Sequence, residues 1–534
     1  MTRTLGLLAA IIVALSVRAA IGRHASAMNS RPAAANPIIW ADVPDPAIIR
    51  VGDTYYMSST TMHMSPGLPI MKSRDLVNWT MVGYAYETLA VNEALTLQNG
   101  KNAYGRGSWA SSLRYHDGTY YVSTFSATTG MTHVFTTKDI EHGPWKALSF
   151  RPALHDHSLF FDDDGRVYMI HGAGNVRLTE LAADLSGIKP GGADQVIIPN
   201  ASLAAGPNVG LQAEGSQMRK INGKYYLFMI TWPRGGMRTA LVFRSNRLTG
   251  PYEGRIALQD QGVAQGGLID SAKGDWYALL FQDHGAVGRT PFLIPVKWED
   301  GWPVLGVDGK APASVPLPAQ AYAVPPIVAS DEFNRRSGQR ALPLVWQWNH
   351  NPDDRYWSVK ARPGWLRLTT GRMDTGFLSA RNTLSQRTFG PECAGTVAID
   401  VSNMKDGDCA GLGLLQRRYG FVGVKAADGA RSIVMVSAET DPPVEAESVP
   451  LSQKVVYLKA ECNFKDRADR AAFYYSLDGK QWTPIGKSVH MVYTLPHFMG
   501  YRFALFNYAT KTIGGSVDFD YFRVSPNMTG AGHD

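Results

Sequence analysis

Gly52-Asp-Thr-Tyr-Tyr56 recurs along the chain as Gly118-Thr-Tyr-Tyr121, Gly165-Arg-Val-Tyr168, Gly223-Lys-Tyr-Tyr226 and Gly274-Asp-Trp-Tyr277. Each copy sets a glycine before aromatic and β-branched residues, and most follow a turn former such as Asp117, Asp164 or Asn222. This is the pattern of a hairpin whose turn feeds its second strand. The glycines lie 66, 47, 58 and 51 residues apart, and each interval has room for about four short strands, the size of a propeller blade. A second element supports the count. Ser73-Arg-Asp-Leu-Val-Asn-Trp79, Thr137-Lys-Asp-Ile-Glu-His-Gly-Pro-Trp145 and Ser245-Asn-Arg-Leu-Thr-Gly-Pro-Tyr252 follow copies one, two and four. Unrelated hairpins would not place both elements in the same order. The fold class read here is all-β, with a five-bladed β-propeller over residues 35–310.

Beyond it, the stretch 311–329 carries Pro312, Pro316, Pro318, Pro325 and Pro326, and its composition predicts a linker without strands. From 330 to 527 alternating runs such as Trp365-Leu-Arg-Leu-Thr369, Phe473-Tyr-Tyr-Ser476 and Tyr501-Arg-Phe-Ala-Leu-Phe506 predict a β-sandwich of jelly-roll or lectin-like type. At the other end, Arg3, the apolar run Leu5–Val17 and the small residues Ala25-Ser-Ala27 predict a cleaved signal peptide over residues 1–27, with a secreted or periplasmic product and no membrane association after cleavage. The three cysteines, Cys393, Cys409 and Cys462, are too few for a disulfide scaffold but leave room for one bridge. The net charge is +7, spread without a dense Lys/Arg block, so no nucleic-acid interface is expected. Such a charge would help approach to acidic polymers, but its scatter reads as a solvated surface.

In a propeller the first strand of each blade lines the central channel, so equivalent positions converge. Nine residues before the turn glycines of blades two to five stand Trp109, Asp156, Glu214 and Gln265; seven before Gly52 stands Asp45. Three of five are acidic in a basic chain. Buried like charges repel, so the fold gains nothing from them. Glycoside hydrolysis does need such groups: one carboxyl to protonate the leaving oxygen and, in an inverting enzyme, a second to activate water from the opposite side. A third carboxylate would raise the acid's pKa, and Trp109 would give a sugar ring an apolar wall. Asp42 falls outside this frame and reads as a turn residue.

Pro44-Asp-Pro-Ala-Ile-Ile-Arg50, Trp109-Ala-Ser-Ser-Leu-Arg-Tyr-His-Asp-Gly118, Asp156-His-Ser-Leu-Phe-Phe-Asp-Asp-Asp-Gly165, Ala213-Glu-Gly215 and Trp298-Glu-Asp-Gly-Trp-Pro303 resemble glycoside hydrolase family 43, the β-xylosidases and α-L-arabinofuranosidases. The resemblance implies Asp45 as general base, Glu214 as general acid, Asp156 as the residue tuning that acid, and Arg289 as a sugar ligand. Gln265 and Met62 would touch substrate too, although many members carry a histidine where Ala264 stands and an aromatic near Met62. No cofactor is implied as required. Some members hold a structural calcium in the channel, for which His284 is the residue to examine. The expected activity is exo-acting, inverting release of terminal pentose from hemicellulose oligosaccharides. The alternatives are an endo-acting arabinanase and a non-catalytic carbohydrate-binding propeller. Oligomeric state is left open.

Overall fold

The computed structural model describes residues 33–316 and 324–528; the signal-peptide expectation lies outside them. Five four-stranded antiparallel sheets follow one another, each a simple meander of consecutive strands. Blade one comprises Ala47–Val51, Thr54–Ser58, Gly67–Ser73 and Thr80–Tyr86. Their first strands, Ala47–Val51, Ser112–His116, Ser158–Phe161, Val209–Ile221 and Val263–Asp270, each neighbour the next, and the last returns to the first. The repeat glycines all have positive φ, between 59° and 87°, and a Cβ added at any of them would meet nothing within 4 Å beyond its chain neighbours. Backbone stereochemistry, not packing, therefore calls for glycine there. Asp117 and Asn222 are also left-handed (φ 46° and 49°), so Asp117-Gly118 and Asn222-Gly223 close two-residue primed turns whose twist suits a hairpin.

One apolar cluster fills each seam between blades. Ile49, Tyr56 and Ile70 meet Leu113, Val122 and Phe135 between blades one and two, and Ile269, Leu279 and Leu293 meet Ile48, Met57 and Met71 between five and one. The ring is closed by the segment before blade one. Ile38 N–H donates to Pro291 O, Val43 N–H donates to Arg289 O, and Arg50 pairs with Asp270.

The second half is a sandwich of a seven-stranded and an eight-stranded sheet around Trp346, Phe503, Phe519 and Phe522. The stretch 311–329 is more structured than its composition predicts. Ser314–Pro316 is a strand paired antiparallel with Ala33–Ala35, and Ile327 and Val328 are buried in the seam between blades five and one. Proline is tolerated because the strand is an edge of a two-stranded sheet. The halves are joined by a polar, buried interface: Ser65 and Trp348 exchange backbone hydrogen bonds, Gln347 Nε2 donates to Thr61 Oγ1, and Arg387 Nε donates to Asp42 O.

Candidate active site

Asp45 and Asp156 each stand two residues before the first strand of their blade. Both are left-handed, with φ 52° and 46°, as is Gln265 with φ 52°. In blade four the left-handed residue is Gly215 (φ 72°), next to Glu214 at an irregularity in the strand register. Left-handed backbone is costly for residues with a side chain, and such strain gathers at functional sites. Here it turns the chain into the channel at matching places. A Cβ on Gly215 would stand 2.8 Å from Gln265 Nε2, so the glycine lets Gln265 lie against the Glu214 turn.

Asp45 is buried. Arg289 Nη1 donates to its Oδ1 at 2.8 Å. Burial pushes the Asp45 carboxyl above the usual range, while the guanidinium opposes that rise. Asp156 is pushed up to about 7, first by burial and then by the charge of Glu214; His155 works the other way. His155 Nε2 lies 2.9 Å from Glu214 Oε2 and 4.0 Å from Asp156 Oδ2. Burial lowers the basicity of this half-buried imidazole, but the hydrogen bond to Glu214 and the two acidic charges hold it above its ordinary value. The site thus has two electrostatic corners: a carboxylate paired with a guanidinium, and, beside Glu214, the Asp156 carboxyl that keeps its proton to near neutrality.

The channel wall comes from both halves. The Trp109 ring stacks on Phe125, with centroids 6.0 Å apart, and meets Phe498 of the sandwich at 5.1 Å. The Arg289 guanidinium carbon lies 4.8 Å from the Phe498 ring centroid, and its Nη2 donates to Phe498 O. Trp109 Nε1 and Arg289 Nε are buried without an acceptor among the described residues. Asp42 is not a turn residue. It is buried; Oδ1 accepts the Arg289 backbone N–H at 2.7 Å and Oδ2 that of Gly500 at 3.0 Å. Met62 is also fully buried, left-handed, and bridged to Ser108 through its backbone. It supports the chain entering Trp109.

His284 does not fit a calcium site. Its Nδ1 is hydrogen-bonded to Gln282 Oε1, its ring packs edge-on against Trp40, and burial followed by the charge of Arg467 lowers it to about 4. Calcium asks for six to eight oxygens. Among the described residues, the one cluster of metal-capable side chains is His155, Asp156 and Glu214, within 4.8 Å of one another.

The sequence brought Asp45, Asp156, Glu214, Trp109, Arg289 and Gln265 to the channel but missed His155, Phe498 and the role of Asp42. His155 carried a signal, since it adjoins Asp156. Phe498 carried none.

Paired carboxylates on the channel face of a five-bladed propeller fit the chemistry of a glycosidase. Residues 34–303 match the model for glycosyl hydrolases family 43, and residues 330–525 match the β-xylosidase C-terminal concanavalin A-like domain. The chain belongs to glycoside hydrolase family 43. It is 31% identical to a β-xylosidase of Formosa agariphila, over 91% of this chain and 89% of that one. It is 31% identical to a non-reducing end α-L-arabinofuranosidase of Bacteroides ovatus, over 62% and 64%. Among solved structures, a bifunctional GH43-CE protein of Bacteroides eggerthii superposes with TM-score 0.92 at 62% identity, over 94% of this chain. This chain spans 64% of that protein's length.

Proposed function

We propose that the protein releases single terminal pentoses, β-D-xylose or α-L-arabinofuranose, from hemicellulose oligosaccharides with inversion at the anomeric carbon. The observation that carries this reading is Phe498: a residue of the sandwich lies against Trp109 and Arg289 and walls the channel on one side. A pocket walled in this way favours exo action, whereas an endo-acting arabinanase needs a channel open at both ends. The names of the relatives agree with pentose as the sugar.

Asp45 takes a proton from water as that water attacks the anomeric carbon, and Glu214 gives its proton to the departing glycosidic oxygen. Asp156 and His155 lie beside Glu214 and orient the acid. Its elevated basicity makes Asp45 the stronger base, while Arg289 keeps it ionised. Export, from the leader-like Leu5–Val17 run, would bring the enzyme to such fragments outside the cytoplasm.

The test is to incubate the protein with 4-nitrophenyl β-xyloside, 4-nitrophenyl α-arabinofuranoside and linear arabinan. Release of monomeric pentose from a glycoside is expected. Arabinan oligomers would overturn the exo assignment, and no release from any substrate would favour a binding module. Proton NMR of the first-formed sugar should show the inverted anomer; retention would refute the water-attack scheme.

A further inference from the structure

Beside the pocket lies a cleft of about 790 Å³ between propeller residues 97–106 and sandwich residues around 372–379, 417 and 495–497. That volume is in the range of roughly 300–1,000 Å³ typical of ligand pockets. Its walls carry four cations, Lys101, Arg106, Arg372 and Arg417, against one carboxylate, Asp374. Two of the cations are paired, Lys101 with Glu93 and Arg372 with Asp374. Arg106 and Arg417 are exposed and make no ion pair with any described residue. Tyr104 and His497, which also line the cleft, stack ring on ring at 4.0 Å and 2°. The cleft is continuous in chain with the pocket. His497 precedes Phe498, and Arg106 stands three residues before Trp109. The two loops touch where Gly105 faces Pro496, since a Cβ on that glycine would meet Pro496 O at 2.6 Å. Substrate leaving the pocket past Trp109 and Phe498 would therefore run alongside the cleft.

We propose that this cleft is a subsite for a carboxylate-bearing branch sugar, a uronate on the hemicellulose chain, held by Arg106 and Arg417. The inference rests on the pocket being the place where the terminal pentose is cut, and it names which polymers the enzyme prefers. Two free guanidiniums suit a planar carboxylate, which each can grip through parallel hydrogen bonds. The apolar and aromatic lining suits a sugar ring better than a bare inorganic anion.

Calorimetry on the full chain tests it, comparing xylotetraose, xylotetraose with one glucuronyl branch, and inorganic phosphate. A Glu214→Gln background prevents turnover, so the result does not depend on whether pentose release succeeds. The branched acid is expected to bind at least about tenfold tighter than the neutral oligosaccharide, about 1.4 kcal/mol. That advantage should shrink strongly at about 0.5 M salt and vanish in Arg106→Gln/Arg417→Gln, with the fold checked by circular dichroism. Equal affinity for the two oligosaccharides would overturn the proposal, as would an acid preference that survives the double substitution. Arginine-dependent binding of phosphate without the branched sugar would also overturn it, leaving a plain anion site. Failure of the exo reading would appear elsewhere, as no pentose from any glycoside.

Discussion

The Asp156 carboxyl is buried beside Glu214, and keeping a proton there has a cost in stability that runs with pH. Its folded value, about 7, exceeds the unfolded value of about 3.9. Between these limits the folded state binds more protons, so stability falls as pH rises from about 4 to about 7. Asp156→Asn removes this loss. It should raise resistance to denaturant at pH 8 by on the order of 2 kcal/mol, with little effect at pH 4, while lowering turnover. A wild-type pH–rate profile should be bell-shaped. Its alkaline limb should fall near neutrality as the Asp156 proton leaves, and its acidic limb should lie above the ordinary carboxylate range, where Asp45 protonates. Asp45→Ala and Glu214→Ala should each lose nearly all hydrolysis and still fold; normal turnover in either would remove that residue from the mechanism. At this scale Asp156 and Glu214 were legible because they share one offset from the turn glycine, and Asp45 because it stands two residues from that offset, on the same strand face. Adjacency to Asp156 marked His155, but nothing in its neighbourhood shows that its ring reaches a carboxylate 59 positions away.

The blade is held in register by its turns and by the seams on either side. Gly118 and Gly223 have positive φ with open space around the missing Cβ, so Gly118→Ala should cost only the backbone term, roughly 1 kcal/mol, and leave kcat unchanged. Gly215→Ala should behave differently. Its Cβ would collide with Gln265 and shift Glu214, so activity should drop by far more than stability. Denaturant midpoints and initial rates on an aryl glycoside separate the two effects. Strands were readable from alternation and turn chemistry, both local. The short strand Ser314–Pro316 was not, because proline content argues against strands in general and only pairing with Ala33–Ala35 reveals an edge that tolerates it.

In the whole molecule the two halves build one site. Asp42 accepts backbone N–H groups from Arg289 in blade five and Gly500 in the sandwich, both buried. Asp42→Ala leaves these donors unpaired, and each such loss costs about 1–3 kcal/mol. The substitution should therefore destabilise by roughly 2–6 kcal/mol. It should also lower kcat/KM, because Arg289 and Phe498 lose their common anchor. Wild-type stability or wild-type kcat/KM would show that the halves dock independently of this residue.

The count of five blades, the sandwich and the positions of the three acids followed from the sequence by itself. Turn stereochemistry, side-chain alternation and a repeated offset are properties of a few neighbouring residues and survive in one dimension. Tertiary structure alone decided that Phe498 walls the pocket, that His155 bonds Glu214 and that Asp42 clasps residues 247 and 458 positions away. These contacts depend on how preformed surfaces dock. Burial and close approach set that docking, and no local pattern in the chain records it.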